Sequence, residues 1–120
     1  MVKVIPVLQT FDYSKTIEFY IEWLGCEIRW EYQPEDSPFY MQVSIRDAIF
    51  DLSEHHGECS PGGRISIVEF DGLKAYHQQL IDKEYKFMRP GLEKAEWPQD
   101  TLEMTVIDPF YIRLIFSERL

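Results

Sequence analysis

Phe11-Asp12-Tyr13-Ser14-Lys15 returns 59 residues later as Phe70-Asp71-Gly72-Leu73-Lys74, and this echo decides how the chain is read. The same shift lays Ile21 on Leu80, Ile28 on Phe87, and Ile5-Pro6-Val7-Leu8 on Arg64-Ile65-Ser66-Ile67. Near the end of each half, Asp51-Leu52-Ser53-Glu54 answers Ile115-Phe116-Ser117-Glu118 at an offset of 64. A unit repeated once points to a single pseudo-symmetric domain over residues 1–120, with an internal repeat of about 1–57 and 60–120. The functional cleft is then expected to draw on both halves.

Local patterns give each half the same order. Residues 2–8 are apolar and β-branched, as a strand requires. Asp12 stands at an N-cap position before a helix over 14–24, where Ile17, Tyr20, Ile21 and Leu24 fall on one stripe. Gly25 closes that helix at C′. Strands follow over 27–32, 39–45 and 48–52, the last two joined at Arg46-Asp47. The Gly/Pro-rich loop 55–63 separates the halves. The second half repeats the series: a strand over 64–70, Asp71 as cap, and a helix over 73–82 burying Leu73, Tyr76, Leu80 and Ile81. A strand over 85–88, a loop through Pro90, Gly91 and Pro98, and a hairpin of 102–107 with 111–116 complete it. Each half therefore reads β-α-β-β-β, which makes an α+β fold of two tandem modules. Their curved mixed sheets carry helices on the outer face and leave a concave face free.

Composition narrows the partners. The chain has 120 residues, 12 basic and 21 acidic, with a formal net charge of −9. Scattered Lys and Arg do not build the phosphate-binding face that nucleic acid needs. No apolar run approaches the roughly 18 residues of a membrane span, and the first residues lack a signal-peptide pattern, so a cytoplasmic location is expected. Cys26 and Cys59 belong to no CxxC pair and are read as reduced, free thiols. The acidic balance favours solubility and, more weakly, a cationic small molecule.

The chain resembles the vicinal oxygen chelate superfamily of glyoxalases, bleomycin-resistance proteins and extradiol dioxygenases. The resemblance is carried by Ile5-Pro6-Val7-Leu8 with Asp12, by Glu18-Phe19-Tyr20 with Leu24-Gly25, and by Asp51-Leu52-Ser53-Glu54-His55-His56-Gly57. Arg89-Pro90-Gly91 and Glu103-Met104-Thr105-Val106-Ile107-Asp108-Pro109 extend it over nearly the whole length. The Leu-Ser-Glu-His-His-Gly loop and the Arg-Pro-Gly turn are closest to the bleomycin-resistance branch. One departure stands out: Phe110-Tyr111-Ile112 replaces the small or polar residue, Gly and Asn usual after Asp-Pro, which implies a differently shaped hairpin tip.

The resemblance implies four metal-ligand positions, and here they hold Ile5, Asp51, Arg64 and Ile115. A divalent ion needs at least three converging imidazole or carboxylate donors. Two aliphatic chains, one cation and one carboxylate do not provide them, so neither a catalytic metal nor another cofactor is expected. Asp51 and Arg64 then either form a salt bridge or meet a polar ligand group. Aromatic residues Trp30, Tyr32, Phe39, Tyr40 and Trp97 are the candidate cleft walls, with Glu103 beside them, although each ring would equally suit a core. His55-His56 suits a solvated loop or a dimer contact better than a metal, and His77 shows no partner. No nucleophile or phosphate-cradle motif is present.

The reading that follows is of a non-catalytic binder of the bleomycin-resistance type. It would hold a planar or cationic ligand, bleomycin-like compounds among the candidates, in an aromatic, acidic cleft. The resemblance further implies a homodimer, with the first strand able to be exchanged between copies. The competing readings are a metal-dependent glyoxalase- or dioxygenase-like enzyme, with a metal recruited from Glu103, Asp51 and a histidine, and a binder of an unrelated metabolite.

Overall fold

The computed structural model describes residues 1–97 and 100–120, so Pro98 of the expected loop lies outside the described residues. The chain divides into two compact units, Met1–Gly63 with Pro109–Ile112, and Arg64–Asp108 with Arg113–Leu120. Each carries a four-stranded sheet, ordered β1-β4-β3-β2 in the first and β5-β8-β7-β6 in the second. Two tandem modules are thus present, with sheets of matching strand order.

In the first unit β1 (Val7–Gln9) runs parallel to β4 (Ala48–Ser53), which pairs antiparallel with β3 (Tyr40–Ile45), itself antiparallel to β2 (Glu27–Tyr32). The expected first strand shrinks to three residues, and residues 1–5 before it are exposed. Pro6 is the reason pairing stops there, since it has no N–H to offer, although its carbonyl still accepts from Asp51 N–H at 2.9 Å. The first helix also departs from expectation. Asp12 caps it, accepting from Lys15 N–H at 2.9 Å, but the α-helical part α1 covers only Tyr13–Thr16. It then widens into a seven-residue π-helical stretch, Ile17–Trp23. The wider turn moves the buried stripe to Thr16, Phe19, Tyr20 and Trp23, and leaves Ile17 and Ile21 only half-buried. Phe19, Tyr20 and Trp23 pack ring against ring, and Tyr20 reaches Phe50 of β4. Gly25, at φ 83°, ends the helix as its lack of a Cβ permits.

In the second unit β5 (Gly63–Ile67) precedes α2 (Leu73–Asp82), followed by β6 (Glu93–Lys94), β7 (Thr101–Ile107) and β8 (Ile112–Arg119). The strand expected over 85–88 does not form, and the short β6 pairs with β7 in its place. Leu73 and Leu80 of α2 are buried, as are Met104, Val106, Leu114 and Phe116 of the strands. His77, expected to lack a partner, donates from Nε2 to the Pro90 carbonyl at 2.8 Å and ties the loop to the helix.

Asp71 is not the cap of α2. That position falls to Gly72, and the carboxylate of Glu118 accepts from Gly72 N–H at 2.9 Å and Leu73 N–H at 3.0 Å. A helix start leaves backbone N–H groups without intrahelical partners, and here a strand side chain supplies them. Glu118→Ala is expected to lower stability by about 1 kcal/mol, read as an earlier urea midpoint with unchanged slope.

Among the described residues no helix is long and apolar enough to cross a membrane.

Candidate functional site

Strand pairing arranges one face of the first sheet into two rows. Residues directly opposite in a ladder share a face, so Trp30, Gln42, Asp51 and Val7 form one row across four strands. Tyr32, Tyr40, Ser53 and Gln9 form the next. Met41, Val43 and Ile45 alternate to the opposite face and are buried in the core.

At the centre lies Asp51, only 7% exposed. Its carboxylate accepts from Tyr40 Oη at 2.5 Å and from Gln42 Nε2 at 2.9 Å. Gln42 in turn accepts from Arg29 Nε at 3.1 Å. The indole of Trp30, 47% exposed, lies parallel to the Tyr40 ring at 5.6 Å between centroids and 10° between planes. Burial, then the hydrogen bond to Asp51, drives the Tyr40 phenol well above its ordinary value, with Glu58 and Cys59 adding to the effect. Tyr40 is therefore a neutral donor fixed on Asp51. In the second row the Gln9 amide donates to the Thr10 and Ser53 carbonyls, and its oxygen accepts from the Cys59 thiol at 3.6 Å. Both cysteines are free thiols.

Of the residues expected in the cleft, the structure brings Trp30, Tyr32, Tyr40 and Asp51 onto this one face. Phe39 is a correction. It precedes Tyr40 by one residue, points the other way, and is fully buried with its ring edge-on to Tyr13. Arg64, Trp97 and Glu103 belong to the second unit: Arg64 is exposed on β5, Trp97 is exposed in the loop after β6, and Glu103 stands opposite Glu93 and Ser117. Gln42, Gln9 and Arg29 were not singled out from the sequence. The alternation of β3 held the signal for Gln42, two residues from Tyr40. Arg29 sits at a bulge between Ile28 and Trp30 that no sequence pattern announces.

The positions assigned to a metal do not fit one. Ile5 and Ile115 have no lone pairs, and Asp51 already accepts from two side chains. Among the described residues no three His, Cys, Asp or Glu side chains converge on a point. His55 donates its N–H to Ser53 Oγ at 3.2 Å, and the His56 ring lies beside Phe11.

Two tandem modules, each with a four-stranded sheet, define the class as an α+β fold. The chain belongs to the glyoxalase superfamily, whose family model matches residues 1–120. No curated protein sequence matches it. Its fold is similar to that of a glyoxalase-related enzyme from Clostridium phytofermentans, with TM-score 0.75 and 20% identity over 100% of this chain and 96% of that one. It is also similar to a bleomycin resistance determinant encoded on the transposon Tn5, with TM-score 0.73 and 19% identity over 99% and 98% of the two chains. A bleomycin-binding protein solved with bleomycin gives TM-score 0.67 and 19% identity over the full length of both. At such identities the likeness is one of fold.

Proposed function

We propose that this protein captures a planar, cationic small molecule without transforming it. The observation that carries this reading is the row of Trp30, Tyr40 and buried Asp51, which offers a flat ring surface beside a carboxylate. Rings hold planar ligands with little entropy lost. A net charge of −9 draws cations toward the chain. Bleomycin-type antibiotics are one ligand of this chemistry, and the fold shared with a bleomycin-binding protein supports testing them first. The exposed apolar residues before β1, Val2 and Val4 among them, suit exchange with a second copy in a homodimer.

Titration with metal-free and copper-loaded bleomycin, followed by tryptophan fluorescence, tests the reading. Saturable quenching at micromolar drug is expected, absent in Trp30→Phe and about tenfold weaker in Asp51→Asn. Unchanged fluorescence at that concentration removes the antibiotic as ligand. Turnover of a hemithioacetal or a catechol by the same preparation would overturn the non-catalytic reading.

A further inference from the structure

A concavity that shares no residue with the sheet face opens in the first unit. It has a volume of about 570 Å³ and is lined chiefly by Phe11, Lys15, Pro61, Gly62, Phe110 and Tyr111. That size suits a small organic ligand. Its walls are aromatic: Phe11, 47% exposed, meets the buried Phe110 ring edge-on at 5.9 Å, and Tyr111 is 82% exposed.

Two features point to a ligand. Tyr111 holds φ at 70°, a left-handed conformation that glycine adopts freely and an L side chain resists. The hairpin tip therefore keeps the expected turn geometry, contrary to the altered shape foreseen from the sequence, and keeps it with a strained, solvent-facing phenol. Asp36, Arg46, Glu69, Glu84 and Asp100 hold positive φ as well, so what sets Tyr111 apart is that it lines the groove. The second feature is charge. Asp12 also borders the groove, but its carboxylate is committed to Lys15 N–H as the helix cap. Among the described residues the Lys15 ammonium makes no ion pair. The groove thus pairs flat apolar walls with one available cation.

We infer that this groove binds a small planar aromatic carboxylate, its ring against Phe11 and Tyr111 and its carboxylate on Lys15. The inference is independent of the ligand proposed for the sheet face.

Naphthalene-2-carboxylate is the probe, titrated into the full chain and followed by ligand-observed NMR and calorimetry. One saturable site per chain is expected, with naphthalene-2-methanol and naphthalene-2-methylammonium each about tenfold weaker. Lys15→Gln, an exposed change, is expected to erase that preference. Tyr111→Gly is expected to weaken binding about tenfold while leaving Tm unchanged or raised, because glycine relieves the positive φ. Asp51→Asn is expected to leave the affinity intact, and loss of binding in that variant would move the acid to the sheet face and overturn the inference. Equal affinity for the three probes, wild-type binding by Lys15→Gln, or no saturation at millimolar probe would each overturn it as well.

Discussion

Phe39→Ala is expected to lower the unfolding free energy by about 3–5 kcal/mol, the largest loss of any single change considered for this chain. Phe39 is wholly buried, and its ring sits 5.1 Å from that of Tyr13 at 82°. Its backbone is pinned on both sides: Phe39 N–H reaches the Glu54 carboxylate at 3.2 Å, and the Phe39 carbonyl accepts from Glu54 N–H at 3.0 Å. A strand start held this way cannot slide inward to fill the space left by a deleted ring, so the cavity stays. Urea unfolding would show an earlier midpoint with little change in slope. The neighbour Tyr40 faces the other way, and Tyr40→Ala should weaken ligand capture far more than Phe39→Ala does. Equal stability of Phe39→Ala and the wild type, together with lost capture, would place Phe39 in the binding face after all.

The second large effect is alkaline. Burial pushes the Cys26 thiol from 9.0 to about 12, and the thiol is almost completely enclosed. A folded-state value above the unfolded one means that the contribution is complete below pH 9 and is lost as pH rises toward 12. The unfolded chain releases this proton first, so deprotonation favours unfolding. The loss over that interval is on the order of a few kcal/mol. Tyr40 acts in the same direction above its ordinary 10.0, because burial and its bond to Asp51 hold its proton in the folded state. Urea midpoints measured from pH 7 upward should stay level and then fall. In Cys26→Ala the fall should be shallower by the thiol's share, and in Tyr40→Phe shallower by the phenol's. A wild type and a Cys26→Ala variant declining in parallel would show that the thiol is not the cause.

Much of the fold was legible because each element of one half has a counterpart in the other. The helix over Leu73–Asp82 and the strand over Glu27–Tyr32 match their expected bounds. The misses have local physical causes. A π-helical turn changes the period, so a spacing of 3.6 residues per turn points to Ile17 and Ile21 where Phe19 and Trp23 are buried. The cap of α2 comes from Glu118, 46 residues from Gly72, which no local pattern reveals. Aromatic composition drew Phe39 and Tyr40 into one wall, yet neighbours in a strand face opposite sides. Asp51 was legible through the family resemblance, which makes it a metal-ligand position, whereas its partners Tyr40 and Gln42 meet it only through the β3–β4 register. The metal positions could be judged from the sequence alone, because aliphatic chains lack donor atoms wherever they sit.

The exposed strand β2 has a bearing on handling the protein. It ends its sheet in the first unit and presents Ile28, Trp30 and Tyr32 to solvent. A margin of this kind invites end-on stacking into fibrils. Interposed Glu27, Arg29 and Glu31, with the irregularity between Ile28 and Trp30, act as gatekeepers against it. Concentrated stocks will therefore keep best in dilute salt, where like charges on approaching molecules still repel.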